Sequence, residues 1–196
     1  TIGMIRLKLE EVGHKNAKLS VIKPGDRIQA GPFNLEAIEI AHSIPDDLAF
    51  AIRTDQGLIL HLPDWKIDHT PLFGQTTDLA RLSEISTEGI DMLVADSTNI
   101  DVPGYTLSEQ VVGETFDQIF KNANGRIIIA MFSSLINRVQ QIFNTAAKHK
   151  RKIAISGRSM EKNVQLALQL GYLKAPEGIL VDIRKINTLS NDEVVI

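Results

Sequence analysis

Cysteine is absent from this chain of 196 residues. Disulfides and thiolate metal sites are therefore excluded, and the composition is compatible with the cytoplasm. There is no excess of positive charge. Lys and Arg number 21 against 24 Asp and Glu, for a net charge of −3. A free-standing nucleic-acid module is usually basic, so that class is disfavoured, although a local basic groove is still open. No apolar run approaches the length of a membrane span, and Thr1-Ile2-Gly3-Met4-Ile5-Arg6 lacks the layout of a signal peptide. Internal repeats and low-complexity stretches are also missing.

What is present is apolar material, 43% of the residues. That is enough for a sizeable core, and the length suits one large domain or parts of two. The chain opens at Thr1 without Met and stops within the strand-like run Val194-Val195-Ile196. The expectation is an internal piece of a longer protein.

Two patterns divide the chain. Ile5, Leu9 and Val12 at helical spacing predict a short helix ending near Gly13, although Ile5, Leu7 and Leu9 also suit a strand. Strands are predicted at Lys18 to Ile22, Arg27 to Gln29, Phe33 to Ile40, Leu48 to Thr54 and Leu58 to Leu62. The last two flank Asp55-Gln56-Gly57, a hairpin turn with Gly where a positive φ is wanted. A helix from Thr77 to Ser86 and a buried strand from Met92 to Ala95 follow. After Pro103-Gly104 the chain alternates: helix to about Ala123, strand Arg126 to Phe132, helix Ser134 to His149, strand Lys152 to Ser156, helix Ser159 to Leu170, strand Ile179 to Ile183. Alternation of this kind indicates parallel βαβ units. The predicted class is α/β, with a domain boundary near Gly104.

Three strand ends carry chemistry: Ala41-His42-Ser43-Ile44-Pro45-Asp46, Leu62-Pro63-Asp64-Trp65-Lys66 and Ala95-Asp96-Ser97-Thr98-Asn99. One His and two Asp from separate strand ends are what a metal-dependent hydrolase uses around a divalent cation. Two or three ligands do not close such a site. The plainer readings are a structural His42, a turn Asp64 after Pro63, and an Asp96 that caps a turn. His14, His69 and His149 read as surface or loop residues, and His61 as structural.

These strings, with Val21-Ile22-Lys23-Pro24-Gly25-Asp26, Pro103-Gly104-Tyr105-Thr106, Gly125-Arg126-Ile127-Ile128, Arg138-Val139-Gln140-Gln141 and Gly157-Arg158-Ser159-Met160, resemble the bacterial ribonuclease J family, in order and over essentially the whole chain. That family lies in the β-CASP branch of the metallo-β-lactamase superfamily. The resemblance implies part of an αββα metallo-β-lactamase sandwich over residues 1–104 and part of a Rossmann-like β-CASP domain over 105–196. It implies metal-assisted RNA cleavage, from a 5′ end or internally, with two zinc ions (manganese as the alternative). His42 and Asp64 would be metal ligands, with Asp64 bridging, and Asp96 a catalytic carboxylate behind a downstream His. Ser133, Ser134, Arg138, Arg158 and Ser159 would hold RNA phosphate at helix starts. The remaining ligands, from a His-x-His-x-Asp-His loop and a later His, would lie outside the chain. The resemblance further implies RNA as partner, no membrane, a cytoplasmic location and a homo-oligomer at full length. The 196 residues alone are expected to lack nuclease activity and to bind metal weakly. Leu62-Pro63 stands where the family has Thr-Gly, and Leu135 and Asn137 where it has Asn and His. These departures support the alternative of a non-catalytic RNA-binding or assembly protein on the same fold.

Overall fold

The computed structural model describes residues 2–72 and 76–196. Two compact units divide it, Thr1–Ser108 and Glu109–Ile196. Both are mixed α and β, the class that the sequence predicts.

In the first unit, helix α1 (Ile2–Glu11) precedes strands β1 (Arg27–Ala30), β2 (Phe33–Glu39), β3 (Leu48–Thr54) and β4 (Gly57–Leu62), helix α2 (Leu79–Glu88) and strand β5 (Met92–Ala95). The expected strand at Lys18 to Ile22 does not form. Its two half-buried side chains, Leu19 and Ile22, are three apart rather than two, and Val21 is 66% exposed, so no strand face exists to bury. The sheet order is β1-β2-β3-β4-β5. Neighbours are antiparallel except β4 and β5, which α2 joins as a parallel pair. Strands β2, β4 and β5 therefore run the same way and deliver their C-terminal ends to one end of the sheet.

Alternation explains the core. Leu58, Leu60 and Leu62 of β4, Ala49 and Ala51 of β3, and Ile38 of β2 point to one buried face, where Ile85 of α2 is fully enclosed. Each fully buried Leu or Ile contributes about 1.5–3 kcal/mol. Small Ala side chains on β3 let α2 lie close. The β3–β4 turn is tight, with Gly57 at φ +143°, and the Asp91 carboxylate accepts the Leu58 N–H at 2.8 Å, fastening β4 to the start of β5.

The second unit holds α3 (Glu109–Asn122), α4 (Ile136–Lys148), β6 (Lys152–Ala154), α5 (Arg158–Gln169), β7 (Leu180–Val181) and β8 (Val194–Val195). Its sheet is parallel, in the order β7-β6-β8. Ile136, Val139, Phe143 and Ala146 recur every three or four residues on α4 and bury one stripe against it. Arg151, 6% exposed, donates to the Gly125 and Ala123 carbonyls and holds the end of α3. The expected strand from Arg126 to Phe132 is reduced to a single parallel bridge, Ile127 with Val195. Hydrogen bonds from Ile127 to Val194 and from Ile129 to Ile196 continue it, but that partner offers only a short ladder. The strand expected at Ile179 to Ile183 is cut short because the Asp182 side chain accepts the Arg184 N–H and starts a 3₁₀ turn.

Candidate functional site

The shared direction of β2, β4 and β5 decides where the His and Asp segments go. Leu62 pairs with Ala95 in parallel register, and the Asp96 N–H donates to the Leu62 carbonyl at 3.1 Å. Asp64 and Asp96 thus leave adjacent strand ends. The third segment arrives by a separate antiparallel bridge between Ala41 and Lys66, with Lys66 N to Ala41 O at 3.0 Å. Buried Thr77 locks it. Its hydroxyl donates to the Lys66 carbonyl at 2.8 Å and accepts the Ala41 N–H at 2.9 Å. His42 follows Ala41 directly, so His42, Asp64 and Asp96 share one end of the sheet.

The electrostatics agree with that placement. The Asp47 carboxylate, 3.5 Å from His42 Nδ1, raises the imidazole above its ordinary range. Desolvation of the largely buried ring opposes it, and the negative charges of Asp64 and Asp96 add to the rise. Asp96 is exposed. Its Oδ1 accepts both the Thr98 hydroxyl at 2.5 Å and the Thr98 N–H at 3.0 Å, which hold its carboxyl below the usual carboxylate range. This is the turn cap that the plainer reading of the sequence allows. Pro63 lies between the end of β4 and an exposed Asp64.

In the second unit the five phosphate candidates lie at or near two helix starts. Leu135 occupies the N-cap of α4 and Gly157 that of α5, and neither helix start has a side-chain cap hydrogen bond. Asn163 of α5 donates to both the carbonyl and the hydroxyl of Ser133, at 3.0 and 3.1 Å, so Ser133 is held against the helix that begins with Arg158 and Ser159. Arg138 stands apart from them. Its Nη2 reaches both carboxylate oxygens of Glu109 at 2.9 Å, and its Nε is buried without a partner. One face of Arg138 is thus spent inside the protein. His149 is no free surface group either: Nε2 meets the Asp117 carboxylate at 2.8 Å.

Residues 124–196 match the family model described as "Ribonuclease J, beta-CASP domain". Over its whole length the chain is 40% identical to ribonuclease J of Thermus thermophilus, of which it covers 35%. It is 40% identical to ribonuclease J of Helicobacter pylori, covering 29%, and 38% identical to that of Synechocystis, covering 31%. Along its whole length the chain is similar to these ribonuclease J proteins. It spans about a third of the length of these relatives. A crystal structure of a protein of unknown function from Enterococcus faecalis superposes with a TM-score of 0.60 at 12% identity, over 100% of this chain and 50% of that one. That likeness concerns the fold alone.

The ribonuclease J resemblance carries a metal expectation, and the donors can be set against it. A structural or catalytic zinc ion takes three or four protein ligands. Among the described residues, no three His, Cys, Asp or Glu side chains are grouped so as to hold a metal ion. The donor set of these residues does not by itself fit the ion. Two contributors to the site escaped the sequence reading, Thr77 and Asp47. Thr77 gave no signal, because a Thr before a helix reads as a start signal. Asp47 could have been found, since two successive Asp after Pro45 form a turn that can bring a carboxylate back beside His42.

Proposed function

We propose that this chain is part of a metal-dependent ribonuclease of RNA processing and decay, acting 5′ to 3′, internally or both. Its first unit is then a portion of a metallo-β-lactamase-type catalytic domain. What supports the reading is that the segments carrying His42, Asp64 and Asp96 leave the same end of the sheet, after β2, β4 and β5, with Thr77 joining the first two. In open α/β sheets ligands bind beyond the carboxyl ends of parallel strands, which here are β4 and β5. By this reading His42 and Asp64 are two donors to a divalent metal pair, zinc with manganese as the alternative, whose other ligands come from polypeptide outside these residues. When bound, such ions polarise phosphate and activate water. Asp96 orients a histidine supplied from elsewhere, and Ser133, Ser134, Arg158 and Ser159 bind the RNA backbone. Arg138 joins them only if Glu109 leaves it a free edge. The partner is RNA, the location cytoplasmic and the full-length state a homo-oligomer. Among the described residues, no helix is long and apolar enough to cross a membrane.

The test is RNA cleavage by the longest polypeptide that carries these residues, on 5′-monophosphorylated and circular RNA, with His42→Ala and Asp64→Ala beside the parent. Loss of cleavage in both variants supports the reading. Cleavage that survives both substitutions defeats it. A parent that binds RNA and cleaves none favours the non-catalytic reading, for which Leu62-Pro63 ahead of Asp64 is the specific observation.

A further inference from the structure

We propose that Asp47 is a positioning residue that holds the neutral His42 imidazole in the tautomer protonated on Nδ1, leaving Nε2 as the nitrogen with the free lone pair. The inference deepens the proposed function and rests on it for its meaning, because it names which nitrogen of His42 would face a ligand. Its geometry stands by itself. After Pro45, Asp46 adopts a left-handed backbone at φ +61°, a conformation that Asp tolerates better than most residues. The chain doubles back, and Asp47 returns beside His42. The Leu48 N–H donates to Asp47 Oδ1 at 3.3 Å, and the Ile40 N–H donates to the Asp47 carbonyl at 3.5 Å. With Oδ1 anchored, Oδ2 faces His42 Nδ1 at 3.5 Å. Both side chains are about three-quarters buried, at 25% and 24% exposure.

A carboxylate only accepts, so the ring nitrogen that faces it carries the proton. The Ser43 hydroxyl, 3.4 Å from the same Nδ1, can donate or accept and so dictates neither tautomer. Histidine in water prefers its proton on Nε2. Asp47 reverses that preference. A carboxylate behind a histidine fixes ring orientation and raises the basicity of the far nitrogen, which is the arrangement found behind metal-ligating histidines. The sequence offers Asp46 for this place as readily as Asp47. The left-handed turn at Asp46 selects Asp47.

The experiment is a long-range proton–nitrogen NMR spectrum of the uniformly ¹⁵N-labelled chain, recorded alkaline of the His42 midpoint, with the His42 signals assigned by their loss in His42→Gln. The parent should show a pyrrole-like Nδ1 and a pyridine-like Nε2. Asp47→Asn keeps an accepting oxygen and should keep that pattern, and Ser43→Ala should leave it unchanged. Asp47→Ala should move the proton to Nε2 in most molecules. A parent protonated on Nε2 overturns the proposal, as does a Ser43→Ala chain that switches tautomer. So does an Asp47→Ala chain that keeps the parent pattern with its backbone amide spectrum intact. Should Asp47→Ala unfold, the parent and the Asp47→Asn and Ser43→Ala pair still decide. No RNA or metal enters the measurement. If this tautomer is found and the longest polypeptide carrying these residues cleaves no RNA, the positioning role stands and the nuclease reading falls, and the reverse pair of results does the opposite.

Discussion

Arg81 of α2 grips Glu36 of β2 through two bonds, Nε to Oε1 at 2.6 Å and Nη2 to Oε2 at 3.0 Å. Glu36 is 4% exposed. Arg53 of β3 and Arg27 of β1 reach its Oε2 as well, at 2.8 and 3.3 Å. Three guanidinium groups thus converge on one buried carboxylate on the sheet. The Arg81 hydrogen bonds are the main reason that its carboxyl falls from an ordinary value of 4.5 to about 2, against the upward pull of burial. Glu88 shares the load by chelating Arg53 at 2.8 Å through both oxygens.

Glu36 predicts an acid-sensitive fold. A carboxylate whose folded value lies below its unfolded one stabilises fully above the unfolded value, and the contribution disappears as pH falls through the folded value. The loss should therefore run from about pH 4.5 down to about pH 2. Glu36→Gln should cost about 3 kcal/mol at neutral pH, since it leaves clustered Arg charges without their partner. Urea unfolding of both proteins across that range measures it. The two stability curves should converge as the pH approaches 2, and a constant gap would show that Glu36 acts through shape and not through charge.

Thr77→Val should destabilise the chain by about 1–3 kcal/mol, because the isosteric side chain leaves the Ala41 N–H and the Lys66 carbonyl without their shared partner. Thr77 is 5% exposed, so water does not readily replace the hydroxyl. Amide exchange gives the sharper measurement. Ala41 and Lys66 should lose protection while β3 and β4 keep theirs. Uniform loss across the sheet would make Thr77 a general core residue and not a clasp between the two site segments.

Much of this fold was legible because period and punctuation agree. Leu58, Leu60 and Leu62 alternate, Gly57 marks the turn before them, and β3, β4 and their hairpin appear where expected. The helix expected over Ser134 to His149 forms as α4, with Ile136, Val139, Phe143 and Ala146 recurring along its buried face. Lys18 to Ile22 misleads because β-branched content was present and a partner was not. Arg126 to Phe132 misleads for the related reason that a strand is defined by its neighbour, and among the described residues the pairing it makes is with residues 194–196. The site divides in the same way. His42, Asp64 and Asp96 announce themselves by type and by position at strand ends. Thr77 acts through geometry that a linear reading does not contain, Asp47 through a turn after Pro45 that the sequence leaves unresolved between Asp46 and Asp47, and the Glu109 partner of Arg138 lies 29 residues away.

Gly57→Ala should destabilise the β3–β4 hairpin by about 1–3 kcal/mol. The backbone sits at φ +143°, where L side chains are strained, and a Cβ there would stand 2.3 Å from Asp91 Oδ2. Asp91 cannot move aside without releasing the Leu58 N–H. The two substitutions should therefore couple. In a double-mutant cycle of Gly57→Ala with Asp91→Ala, the combined loss should be smaller than the sum of the two. Strict additivity would show that strain at Gly57, and not the clash, sets its cost.

Zinc should do little to these 196 residues by themselves. On the proposed reading His42 and Asp64 supply two donors, and among the described residues no group of three His, Cys, Asp or Glu side chains could hold a metal ion. Two ligands leave most of the coordination sphere to water, so binding should be weak and readily competed by a chelator. The readout is thermal or urea stability with and without the metal. A tight site would add about 2.7 kcal/mol at a zinc concentration about 100 times its Kd, whereas this chain should show no resolvable gain, and manganese should behave alike. RNA incubated with the same preparation should stay intact. A large zinc-dependent rise in stability that His42→Ala abolishes would mean that these residues assemble a complete metal centre, and the expectation of ligands from further polypeptide would fall.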